Sequence, residues 1–132
     1  MRASGKRDRR REYAMATIEQ LMQANLLEVF NERDGERRRA AIGRTYAPDV
    51  RFFDPDGVVE GHESLDAKAQ KILDGAPGFD FSPAGPVQVN HDLGYLAWNF
   101  GPQGQTPVVQ GVDIALVEDG LIHSLYTLLF TT

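Results

Sequence analysis

Apolar side chains recur at helical spacing along Ile18, Leu21, Met22, Leu26, Val29 and Phe30, with Asn25 as the one polar interruption of the stripe. Thr17-Ile18-Glu19-Gln20 just ahead has capping-box form: the Thr hydroxyl and the Gln amide can each satisfy an orphan backbone donor, so a helix is expected to begin there. Asp34-Gly35 breaks it. Glu36 to Ala47 reads as a second helix with Ile42 and Tyr46 on its buried side and Arg37-Arg38-Arg39 on a solvated face, stopped by Pro48. Val50-Arg51-Phe52-Phe53 predicts a short strand, Asp54-Pro55-Asp56-Gly57 a turn, and Val58-Val59-Glu60 the return strand. Gly61-His62-Glu63-Ser64 leads into a third helix, whose stripe of Leu65, Ala69, Ile72 and Leu73 closes at Asp74-Gly75-Ala76-Pro77-Gly78.

Beyond Gly78 the period changes to two. Segments near Phe79–Phe81, Val87–Asn90, Tyr95–Phe100, Thr106–Val117 and Leu121–Thr131, separated by Gly or Pro turns, predict an antiparallel meander of lengthening strands. Three helices followed by such a sheet is an α+β arrangement, in which helices cover one sheet face and leave room for a pocket between the layers. At 132 residues the chain makes one domain, large enough to enclose a core without disulfides.

One carboxylate interrupts the pattern. Asp113 stands inside Val108 to Val117, a nearly all-apolar run, and a buried carboxylate must be paired, protonated or functional. Its face depends on the turn at Glu118-Asp119-Gly120. A two-residue Asp119-Gly120 loop sets Asp113 against Tyr126 and on the face of Ile122, Leu128 and Phe130. A three-residue loop with Gly120 left-handed sets it against Leu125, with Gly111, Ala115, His123, Thr127 and Leu129 on its face; this is the favoured reading. The opposite face then carries Val112, Ile114, Leu116, Ile122, Tyr126, Leu128 and Phe130, an apolar stripe too large for a monomer to leave open. A sheet-to-sheet homodimer is expected.

Charge and composition narrow the chemistry. With no cysteine and three scattered histidines, His62, His91 and His123, there is no metal-ligand spacing and no cysteine nucleophile. His62 and His91 read as surface residues at a helix start and a turn. The net charge of −5 conceals a basic arm over residues 1–14, read as disordered and dispensable, with Met15 as an alternative start. The arm lacks interleaved aromatics and the rest is acidic, so nucleic acid is not expected as a partner. No apolar run is long enough to span a bilayer, and a cytoplasmic protein is expected.

Tyr46-Ala47-Pro48-Asp49-Val50, Phe53-Asp54-Pro55-Asp56-Gly57, Glu60-Gly61-His62-Glu63, Gly111-Val112-Asp113 and Glu118-Asp119-Gly120-Leu121-Ile122, in that order and spacing, resemble the SnoaL-like and ketosteroid-isomerase-like members of the nuclear transport factor 2 superfamily. Trp98-Asn99-Phe100-Gly101-Pro102 is similar to the tryptophan-containing strand of many SnoaL-like members. The resemblance covers residues 15–132. It implies an α+β cone: three N-terminal helices packed on a strongly bent mixed or antiparallel sheet, with a central pocket for a small hydrophobic ligand and no cofactor. Activities in the superfamily range from isomerisation and polyketide cyclisation to dehydration, plain ligand binding and protein association, so the fold alone leaves function open.

The resemblance puts Asp54 where ketosteroid isomerases carry a general base and Asp113 near their second acid, a division in which one carboxylate takes a carbon-bound proton and the other stabilises an oxyanion. The chain departs from that pattern twice. No tyrosine stands at the matching register of the first helix, where Leu26 sits beside Asn25, and Asp113 lies one residue nearer its hairpin glycine. The expected site is therefore Asp54 and Asp113 as catalytic residues, with Asn25, Tyr46, Phe52, Trp98, His123, Leu125 and Thr127 lining the pocket. Two other readings stay open: a ligand-binding protein without catalysis, and a dimeric interaction module with a filled cone. In either, Asp54 can simply cap its turn, and Asp113 can be a structural acid paired with His123 or a tyrosine.

Overall fold

The computed structural model describes residues 15–130; the basic arm of residues 1–14 lies outside them. Helix α1 (Ile18–Ala24) starts at a complete capping box between Thr17 and Gln20. It runs on as a π-helical stretch over Asn25–Phe30, where the Asn31 N–H reaches back five residues to the Leu26 carbonyl at 3.0 Å. The wider turns bring Asn25, Leu26, Val29 and Phe30 to the buried side together.

Helix α2 (Gly35–Thr45) is capped by the Asp34 side chain and ends two residues earlier than its pattern predicts. Tyr46 is extended and opens strand β1 (Tyr46–Asp54), so its side chain belongs to a strand, not to the helix face expected for it. Pro48 accounts for the early stop, since it disfavours helical geometry just before itself. The arginine run also differs from expectation. Arg37 and Arg39 are exposed, but Arg38 is 1% exposed, donates to Asp66 at 2.6 Å and to the Glu32 carbonyl at 2.7 Å, and also bonds Gln70. A buried guanidinium satisfied by acid, amide and carbonyl ties α2 to helix α3 (His62–Asp74).

Strands β2 (Gly57–Glu60), β3 (Phe79–Pro83), β4 (Gln88–Asn90), β5 (Leu93–Pro102), β6 (Val109–Glu118) and β7 (Leu121–Phe130) complete the sheet. Its order is β2-β1-β7-β6-β5-β3, with β4 also paired to β5. Every pairing is antiparallel except β1 with β7, which makes the sheet mixed, and it is curved without closing. The helices fill the concave side, where Leu21, Met22, Leu26, Leu65, Leu73 and Leu96 are among the fully buried core residues. Among the described residues no helix is long and apolar enough to cross a membrane.

Candidate active site

The β6–β7 hairpin decides where Asp113 points. Asp119 and Gly120 both have positive φ, 54° and 76°, and Glu118 pairs with Leu121, so the loop has two residues, not the three expected. The register then shifts: Val117 pairs with Ile122 but Leu116 pairs with Ser124, which leaves His123 as the extra residue of a bulge. The turn sets Ile122 inward in the core, against the expectation for it, and the bulge then sets Asp113 opposite Thr127. Turn and bulge together return Asp113 to the concave face, with Gly111, Ala115, Leu125 and Thr127, because two one-residue offsets restore the original parity.

There Asp113 is 5% exposed, and its carboxylate is met only by donors. Oδ1 accepts from the Trp98 indole at 3.0 Å and the Thr127 hydroxyl at 2.7 Å; Oδ2 accepts from the Asn25 amide at 2.7 Å. Burial raises the carboxyl above the usual range, and the hydrogen bonds from Thr127, Trp98 and Asn25 work against that rise. Behind Asn25, the buried Tyr46 hydroxyl donates to the amide oxygen. Burial and the Asp113 charge push that phenol well above its ordinary value, so it stays protonated. Trp98 reaches Asp113 because Gly111, opposite it on β6, has no side chain: a Cβ there would lie 2.6 Å from the indole ring and 2.7 Å from the Leu128 carbonyl.

A second polar group comes from β1 and α3. The Asp54 carboxylate accepts the Asp56 N–H at 2.9 Å and pairs with the Lys68 ammonium at 2.8 Å; Lys68 also meets Asp56 at 3.1 Å. Both Lys68 and Asp54 are mostly buried, with side chains 14% and 11% exposed. Hydrogen bonding to Asp54 leads the effects that raise the Lys68 ammonium above its ordinary value, outweighing desolvation, so it carries a full charge at neutral pH.

Both groups line one cavity of about 230 Å³. Leu26, Phe30, Phe52, Ile72, Phe81 and Phe100 supply much of its apolar wall, and the Phe81 ring stacks on Phe100 and meets Trp98 edge-on, with centroids 4.0 and 5.2 Å apart. Beyond the Phe53–Tyr126 pair of β1 and β7, Asp54 comes level with Thr127, which pairs in turn with Asp113. Two strand spacings, roughly 10 Å, thus separate the backbones bearing the two carboxylates.

Of the residues anticipated for the pocket, Phe52, Trp98 and Thr127 line it with Asp54 and Asp113. Asn25 and Tyr46 stand behind Asp113 as its buried hydrogen-bond chain. Leu125 is core, and His123 sits at the bulge away from the cavity lining. His62 is half-buried, not at the surface, and its Nε2 meets the Tyr46 carbonyl at 2.9 Å. Lys68 was not anticipated. Its signal is its place inside an apolar stripe, three residues after Leu65 and four before Ile72. Among the described residues no cluster of His, Asp and Glu is arranged to hold a metal ion.

The family model for the SnoaL-like domain matches residues 24–125. A proposed isomerase of the SnoaL-like family from Agrobacterium tumefaciens is 26% identical, with a TM-score of 0.79 over 85% of this chain and 96% of that one. A proposed SnoaL-like polyketide cyclase from Jannaschia sp. is 21% identical, with a TM-score of 0.66 over 86% of this chain and 88% of that one. A proposed ketosteroid isomerase from Kribbella flavida is 18% identical, with a TM-score of 0.67 over 87% and 78%. The last two likenesses are of fold alone. No curated protein matches the chain.

Proposed function

The chain belongs to the SnoaL-like domain family, and on that premise we propose that it is a cofactor-independent acid–base enzyme of the isomerase, cyclase or lyase type, acting on a small, neutral, hydrophobic carbonyl compound held in the cavity. One observation carries the reading: a buried carboxylate, Asp113, meets only hydrogen-bond donors and also lines an apolar cavity. The donors hold such a carboxylate deprotonated and in place as an acceptor, and the net rise that burial gives its pKa makes it a stronger base than a free carboxylate. The roles thus shift from those implied by the resemblance. Asp113 removes a proton next to the carbonyl and returns it elsewhere, and Lys68 stabilises the oxyanion that develops. Two of the three ammonium N–H groups are taken by Asp54 and Asp56, leaving one for the ligand. Asp54 orients Lys68 and is not itself the base.

The charge balance supports a neutral substrate. Asp54, Asp56 and Asp113 face the cavity against Lys68 alone, so an anionic ligand meets net repulsion. The test is deuterium wash-in from D2O into a panel of neutral cyclic enones, followed by proton NMR with wild type and Asp113→Asn. Wild type exchanges protons next to the carbonyl, and Asp113→Asn loses about 10²- to 10⁴-fold. Enones that bind without enzyme-dependent exchange would favour the ligand-binding reading instead.

The protein is further proposed to act as a homodimer through the convex face of the sheet. Leu116, Tyr126, Leu128 and Phe130 lie there on adjacent strands at 37%, 41%, 54% and 51% exposure. A continuous apolar patch on a sheet suits an isologous contact with its own copy.

A further inference from the structure

Tyr46 does not line the cavity and makes no hydrogen bond to Asp113, yet it is fully buried and its hydroxyl donates to Asn25. We propose that Tyr46 is a positioning residue which, by fixing the orientation of the Asn25 amide, sets the direction of hydrogen bonding at Asp113 and keeps that carboxylate ready as an acceptor. This inference rests on the proposed role of Asp113 as the proton-transferring group, but its test needs no turnover.

The argument is one of donors and acceptors. An amide has one end that only accepts and one that only donates. With the Tyr46 hydroxyl on Asn25 Oδ1, the Nδ2 end must face Asp113 Oδ2, where it stands at 2.7 Å. A proton on Oδ2 would reverse the chain: Asp113 would donate to Oδ1, Nδ2 would turn to the phenol oxygen, and the Tyr46 O–H would lose its acceptor. Tyr46 and Asn25 are each 0% exposed, so no solvent replaces that acceptor, and a buried donor without a partner is costly. Tyr46 therefore opposes the reversed state from a distance. The high phenol pKa keeps it a donor throughout. His62 bonds the Tyr46 backbone carbonyl and leaves the hydroxyl to Asn25.

The other groups around Asp113 act differently. Trp98 on β5 and Thr127 on β7 bond Oδ1 directly. Asp54, Asp56 and Lys68 face it only across the cavity. Neither set depends on the amide orientation, which makes the contribution of Tyr46 separable.

The experiment is a carbon-13 NMR titration of the Asp113 carboxyl in the full chain. In Tyr46→Phe the reversed chain no longer strands a hydroxyl, and the midpoint rises by about one pH unit. With 3-fluorotyrosine at position 46, a stronger donor of nearly the same size, it falls. In an Asn25→Ala background neither change moves it. Should Tyr46→Phe fold poorly, the fluorotyrosine arm alone decides. An unmoved midpoint with both substitutions, or equal movement with and without Asn25, overturns the relay. Loss of deuterium wash-in without these movements would count against the relay alone, and movements without wash-in against the proposed enzyme alone.

Discussion

Asp113 was legible in the sequence because a charge in the middle of an apolar strand has few bland explanations. What surrounds it was harder to read. Asn25 reads from sequence as a pocket residue with nothing to tie it to Asp113, and Tyr46 as part of a helix that in fact ends one position before it. Lys68 is not legible in the sequence, since lysine is ordinarily a solvated residue and only the folded chain brings β1 beside α3. Two outcomes follow at this scale. A carboxyl whose pKa is raised by folding favours the folded state at low pH, and that contribution is lost as pH rises from about 3.9 through the raised folded value. Urea unfolding across that window should show wild type losing stability with rising pH and Asp113→Asn losing less. Lys68→Met should cost about 1–3 kcal/mol in the same unfolding measurement, through the uncompensated Asp54 carboxylate. It should also slow deuterium wash-in about 10²-fold, through the lost oxyanion donor.

The number and order of helices and strands were legible because hydrophobic period and turn chemistry are local properties. The concave face of Asp113 was also anticipated, through a three-residue loop that does not form. The chain uses the two-residue turn that Asp119-Gly120 favours, then a bulge at His123 that no sequence signal marked. Bulges answer to the curvature of the whole sheet, so their place is set by tertiary packing. The parallel pairing of β1 with β7 is likewise a tertiary property, and only the family resemblance, not the strand pattern, allows for a mixed sheet. Gly111 shows how a strand position serves the site. In Gly111→Ala the new Cβ meets the Trp98 ring and the Leu128 backbone, so either the indole or the strand must move. Thermal unfolding should show a loss of about 1–3 kcal/mol, and the indole N–H resonance of Trp98 should shift as its bond to Asp113 is strained.

Taken whole, the molecule divides its sheet by face. The concave side carries a cavity with acids and one lysine in an aromatic wall; the convex side carries an apolar patch. If a second copy covers that patch, light scattering gives twice the chain mass, and Leu128→Glu shifts the distribution to monomer; a monodisperse wild-type monomer would rule the dimer out. The central claim concerns the other face, that Asp113 meets the reacting part of a neutral carbonyl ligand. A stable mimic of the enol, a simple phenol, tests it most directly in a crystal structure of the complex. The ring should lie among Phe30, Phe52, Phe81 and Phe100, with the hydroxyl within hydrogen-bond distance of the Lys68 ammonium and the adjacent ring carbon turned to the Asp113 carboxylate. A phenol bound outside the cavity, or inside it with its oxygen away from Lys68 and its ring away from Asp113, would contradict the account.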